Sequence, residues 1–203
     1  MHKEGLLYII SAPSGAGKTS LCREVVKLFP TLYHSVSHTT RSPRPGEKDG
    51  EDYYFVSQEK FQEMVDSRRF AEWAEIHGNR YGTADDLLKE YQRKGIDIIL
   101  DIDGQGARQL KNKYPDGVYI FILPPSWKDL EERLRARKTD SDEDIKRRLE
   151  NAKEELRYLV HYDYIVVNDD FDTAVSMVAS IIIAEKCRRE RALPQVKDLF
   201  QLP

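Results

Sequence analysis

Cysteine is nearly absent: the 203-residue chain has two, Cys22 and Cys187, close to opposite ends. Two distant thiols make neither a disulfide framework nor a metal-ligand pair, which predicts a reduced compartment, the cytoplasm. Also missing is any apolar run near the ~20 residues that span a bilayer. The stretch Leu6 to Ser11 already ends at a turn, so neither a secretory leader nor a membrane partner is expected. Positive charge is not in surplus either. Lys and Arg number 32 against 35 Asp and Glu, a net charge of −3, so the bulk field gives a nucleic acid no hold. A small anion gripped by a few well-placed cations remains compatible with that balance. Internal repeats and low-complexity segments are lacking as well.

What is present suits one globular domain: 40% hydrophobic and 33% charged residues over a length that usually forms a single core. Four near-continuous apolar runs, Leu6 to Ile10, Ile96 to Leu100, Val118 to Leu123 and Tyr164 to Val167, read as strands buried on both faces, as in a parallel sheet. Helical periodicity separates them. After Lys18 come Leu21, Val25, Val26 and Leu28, with Pro30 as a stop, and Phe171 to Arg191 repeats the pattern more strongly. The fold class predicted is α/β, a parallel sheet flanked by helices.

Two regions depart from that alternation. Residues 35–95 carry a polar stretch (Arg41 to Asp52), short aromatic strands (Tyr53 to Val56) and a hairpin from Trp73 to Tyr81 turning at Gly78-Asn79, and they read as a small mixed α+β insertion. Residues 126–159 read as two polar helices, the second capped by Ser141 or Asp142. The remaining segments, 1–34, 96–125 and 160–203, make the core. The C-terminal run Lys186 to Arg191 reads as a solvated helix end, with contact to a second copy of the chain left open.

The first strand runs into Ala12-Pro13-Ser14-Gly15-Ala16-Gly17-Lys18-Thr19 and then a helix. Small residues let the backbone curl so that its N–H groups face phosphate oxygens, and the helix N-terminus adds partial positive charge. Lys18 is placed to reach β- and γ-phosphates, and the Thr19 hydroxyl to meet a Mg²⁺ ion. The usual pattern opens with Gly where this chain has Ala12, which requires a negative φ there.

The stretch Thr39-Thr40-Arg41-Ser42-Pro43-Arg44-Pro45-Gly46-Glu47-Lys48-Asp49-Gly50-Glu51-Asp52-Tyr53-Tyr54-Phe55 resembles the signature of guanylate kinases. Glu72-Trp73, Tyr81-Gly82-Thr83, Asp101-Ile102-Asp103 and Asn168-Asp169-Asp170 extend the resemblance over most of the chain. It implies ATP-dependent phosphorylation of GMP, with Mg²⁺, by a core, a GMP-binding region (35–95) and a lid (126–159). It assigns GMP contacts to Ser37, Arg41, Arg44, Tyr53, Glu72, Tyr81, Thr83, Asp101 and Asp103. ATP contacts fall to residues 12–19, Arg133 and Arg137, and catalysis to Lys18, Arg41, Arg137 and Arg148. The residue chemistry agrees: guanidinium forks chelate a phosphate dianion, phenols donate to it, and a carboxylate such as Glu72 accepts from guanine's adjacent N–H and amino donors. Asp103 either holds a magnesium water or caps the helix beginning near Gln105. Two other readings stay open: a catalytically silent binding module of the same fold, and a kinase for another nucleoside monophosphate.

Overall fold

The four apolar runs do form strands, and a short fifth joins them. The computed structural model describes residues 4–76, 78–136 and 141–201, apart from the side chain of Gln195. In chain order, β1 (Leu7–Ser11) leads into α1 (Lys18–Leu28), followed by β2 (Leu32–His34), β3 (His38–Thr39), β4 (Tyr54–Phe55) and α2 (Gln58–Asp66). The hairpin β5 (Phe70–Ile76) and β6 (Asn79–Ala84) precedes α3 (Asp85–Arg93), β7 (Asp97–Asp101), α4 (Gly104–Lys113) and β8 (Val118–Leu123). Then come α5 (Trp127–Ala136), α6 (Asp142–Leu156), β9 (Tyr164–Val167), α7 (Phe171–Lys186) and α8 (Arg189–Phe200).

The main sheet has the order β2-β7-β1-β8-β9, and every pairing in it is parallel. Parallel strands need covering on both faces. One face packs on α1 and α7 through residues such as Tyr8, Ile10, Leu21, Val25, Val178 and Ile182. The other packs on α3 and α4 through Leu7, Ile9, Ile98, Leu100, Leu88 and Leu110. The carboxyl ends of β1 and β7 lie side by side, with Ile10 opposite Asp101, and that adjacency places the site.

The insertion folds as a mixed sheet of order β4-β3-β6-β5, with Phe61, Met64 and Phe70 forming a separate small core under α2. Asn79, expected in the hairpin turn, already pairs with Ile76; the left-handed residue is Gly78, at φ +74°. α5 and α6 share their own apolar cluster of Leu130, Leu134, Ile145 and Ala152. Ser141 caps α6 and forms a reciprocal box with Asp144.

The C-terminal helix differs from the expectation. α7 stops at Lys186, Arg188 turns to φ −53° and ψ 136°, and α8 starts at Arg189 with Pro194 inside it. The charged run is solvated only in part: residues 187–190 are exposed, while several of its cations reach acids of the core. Buried Glu185 takes Arg188 at 3.1 Å and Arg191 at 3.5 Å and the Tyr164 hydroxyl at 2.5 Å, while Lys186 pairs with Asp97 at 2.7 Å. A buried carboxylate demands such partners, and gathering them breaks the helix axis.

Candidate active site

Between β1 and α1 the chain curls through two left-handed glycines, Gly15 at φ +102° and Gly17 at φ +89°. A Cβ on Gly17 would stand 2.8 Å from the Asn168 amide nitrogen, and one on Gly15 3.0 Å from Leu134 Cδ2, so space as well as φ requires glycine. Ala12 has no positive φ, which is why it is tolerated where other loops have Gly. Lys18 opens α1, and its Nζ lies 2.6 Å from Asp101 Oδ1 while donating to the Ile102 carbonyl at 2.6 Å. Burial opposes the ammonium, but Asp101 beside it more than compensates, and the Lys18 pKa is raised. For Asp101, burial is again the largest influence and pushes upward. The Lys18 charge and the hydroxyl of Thr19 outweigh it and hold the carboxyl below its ordinary value.

On the mixed sheet, register puts Glu72 opposite Thr83. The Thr83 hydroxyl donates to Glu72 Oε1 at 2.6 Å. Glu72 is only 4% exposed, and burial pushes its carboxyl up to about 7 against the pull of the Thr83 hydrogen bond. Asp101, expected alongside them, is paired with Lys18 at 2.6 Å.

Arg41 and Arg44 sit in the Pro-flanked loop, organised by a residue the sequence reading did not single out. Arg41 Nη2 donates to both oxygens of Glu47, at 2.8 and 3.0 Å, and its Nη1 to the Ser42 carbonyl at 2.8 Å. The Arg44 backbone N–H donates to Glu47 Oε2 at 2.7 Å. The Arg41 guanidinium rests over the Tyr53 ring, 5.3 Å from its centroid, and Tyr53 meets Tyr81 edge-on at 5.9 Å. The structure thus gathers Arg41, Tyr53 and Tyr81. Ser37 is half-buried nearby, its carbonyl accepting from Tyr54 N–H at 2.9 Å.

A cleft of about 600 Å³ runs between these regions, lined by the phosphate loop, Arg44, Asp103, Arg148 and Glu155 among others. Arg148, on α6, donates to the Ser14 hydroxyl at 3.3 Å, and Arg133 donates to the Asn168 carbonyl at 2.9 Å. Arg137 lies outside the described residues. Asp103 is the N-cap of α4, accepting from Gly106 N–H at 2.8 Å; this is one of the two roles open to it.

The sequence model of the guanylate kinase family matches residues 4–185. The chain belongs to the guanylate kinase family. It is 57% identical over 202 residues to the guanylate kinase of Geobacter sulfurreducens, covering 100% of both chains. To that of Escherichia coli O157:H7 it is 50% identical over 191 residues, 93% of this chain and 92% of the relative. The crystal structure of guanylate kinase from Anaplasma phagocytophilum superposes with a TM-score of 0.79 at 31% identity, covering 99% of this chain and 97% of that one.

In this member of the guanylate kinase family, three further residues belong to the site. Glu47 follows Arg44 by three positions in one turn, a spacing that could have flagged it. Asn168 reaches back from the end of β9 to the Ala16 carbonyl, 2.8 Å from its amide; it stood in a quoted motif without a role. Glu155, on α6, has a buried Oε2 without a hydrogen-bond partner among the described residues. Burial first, then the charge of Asp103, pushes its carboxyl up to about 7. Nothing in the local sequence distinguishes it from the exposed Glu154 beside it.

Proposed function

We propose that the chain joins ATP and GMP across this cleft, an oxygen of the GMP phosphate attacking the γ-phosphorus of ATP as the bond to the β-phosphate oxygen breaks, giving GDP and ADP. Phosphoryl transfer asks a protein for alignment and positive charge. Residues 12–19 cradle the ATP phosphates, Lys18 moving from Asp101 to the β/γ-phosphates. Arg41, Arg44, Tyr53 and Tyr81 grip the GMP phosphate. Glu72 accepts from guanine's ring N–H and amino group, with Ser37 and Thr83 as hydroxyl partners. Arg133, Arg137 and Arg148 belong to a lid formed by residues 126–159, closing over a core and a GMP-binding region at 35–95. Charge developing on the transferring group is met by Lys18, Arg41, Arg137 and Arg148.

The oxygen donors beside the phosphate loop, the Thr19 hydroxyl with Asp101 next to it, fit a Mg²⁺ ion. Thr19 would hold it, with Asp103 through a water, and bound there it supplies neutralisation of phosphate charge. No helix among the described residues is long and apolar enough to cross a membrane; the cytoplasm is the compartment proposed, on the ground of the two distant free thiols.

The observation that carries this reading is a single cleft with the phosphate loop on one wall, Arg44 on another and Arg148 reaching in from α6. ADP release measured with GMP, dGMP, AMP, CMP and UMP tests it. GMP and dGMP are expected to be turned over in strong preference. No turnover of any of them would make the chain a silent binding module, and preference for AMP would overturn the role of Glu72.

A further inference from the structure

We propose that Gly106 and Gln109 of α4 are positioning residues for guanine selectivity, acting through Glu72. The inference rests on the reading of Glu72 as the acceptor for the base. Glycine inside a helix destabilises it relative to alanine, so Gly106 needs a reason. An ideal Cβ there would lie 2.3 Å from Glu72 Oε2 and 3.0 Å from its carboxyl carbon: the carboxylate occupies the space of the missing methyl. One turn further on, Gln109 clamps the next residue of the strand. Its Oε1 accepts from the Trp73 backbone N–H at 3.1 Å, and its Nε2 donates to the Trp73 carbonyl at 2.7 Å.

β5 is the edge strand of its sheet, so Trp73 has no neighbouring strand to satisfy its outward backbone groups, and Gln109 takes that place. Residues three apart on a helix share a face; here they meet consecutive residues of β5, one at the backbone of Trp73 and one at the carboxylate of Glu72. With Oε1 held by Thr83 and Oε2 seated on the bare Cα of Gly106, the acid is fixed at both oxygens before any base arrives. Preorganisation of this kind is what lets a pocket reject a base with one donor missing.

The test is steady-state kinetics of the full chain with GMP and with IMP, which keeps the ring N–H and carbonyl of guanine but lacks the 2-amino group. Gly106→Ala and Gln109→Ala are each expected to lower the kcat/KM preference for GMP over IMP by about tenfold, mainly through KM for GMP, with KM for ATP unchanged. In a Glu72→Asp background the shorter carboxylate vacates the disputed volume, so Gly106→Ala should then cost less than about threefold. Equal losses on GMP and IMP, or fully additive effects in the double variant, would overturn the proposal. Gln109 is exposed, so its variant keeps the test alive if Gly106→Ala does not fold. Glu72→Gln separates the two layers. If it leaves the GMP/IMP ratio intact, the assignment of Glu72 fails; if it collapses the ratio while both α4 variants do not, only the positioning role fails.

Discussion

Glu47 binds Arg41 with both oxygens, at 2.8 and 3.0 Å, and takes the backbone N–H of Arg44 at 2.7 Å with one of them. One carboxylate thus sets the spacing of the two arginines assigned to the GMP phosphate. Charge-assisted, two-point pairing of this kind is rigid as well as strong. Glu47→Ala is expected to raise KM for GMP about tenfold with a smaller change in kcat, because lost order in the loop weakens ground-state binding first. An unchanged KM would mean that the phosphate organises the arginines unaided.

The acid assigned to guanine titrates near neutrality. Burial raises Glu72 to about 7, and only its ionised form accepts both donors of the base. GMP affinity should therefore fall as pH drops through about 7 and level off above it. The GMP phosphate itself titrates near pH 6, so the comparison is with Glu72→Gln, whose weaker binding should lack the component near 7. Titration calorimetry across that range is the measurement.

Lys18 and Asp101 form a largely covered pair, their side chains 18% and 12% exposed, and removing one charge strands the other. Lys18→Met should abolish most turnover and also destabilise the unliganded protein, by about 3 kcal/mol or more, as happens when a buried ion pair loses a partner. Adding Asp101→Asn should restore much of the melting temperature and none of the activity. Recovery of turnover in the double variant would show that Lys18 acts only as a partner for Asp101.

Glu155 makes the unliganded protein sensitive to pH in the opposite sense from a salt-bridged acid. Its folded value of about 7 lies above the ordinary 4.5, so the native state holds a proton that the unfolded chain gives up. Stability therefore falls as pH rises from 4.5 through 7, by roughly 3 kcal/mol if the shift is realised in full. Glu155→Gln should flatten part of that fall and raise the melting temperature at pH 8 relative to pH 5. Equal effects at both pH values would locate the gain in packing instead.

Much of this was legible in the sequence because burial and φ leave marks on residue type. Buried parallel strands must be apolar on both faces, and a left-handed loop needs Gly15 and Gly17, so these features could be read directly. β2 has no such mark: Leu32 is its one buried residue, and edge position, not apolarity, makes it a strand. The break before α8 was hidden because Arg188 and Arg191 serve a buried acid three and six residues from them, a tertiary contact that no local pattern encodes. Asp101 was assigned to the base by resemblance; its pairing with Lys18 at 2.6 Å, which the neighbouring ends of β1 and β7 bring about, is a tertiary contact that the resemblance did not supply. Glu72, Arg41 and Tyr81 were singled out by the family resemblance, with a chemistry that suits a nucleotide; Glu47 and Gln109 were not, because they serve other protein groups.

Gly15 receives Leu134 and Leu130 from α5, and those leucines are also the heart of the α5–α6 cluster. The floor of the phosphate loop and the underside of the two helices are thus joined by hydrocarbon. Contacts between carbon atoms have no preferred direction, unlike the hydrogen bond of Arg148 to Ser14. If residues 126–159 act as the proposed lid, an apolar bearing at the base and a polar latch at the rim would let the two helices tilt over the nucleotide by rolling on their leucines, giving up the bond of Arg148 to Ser14.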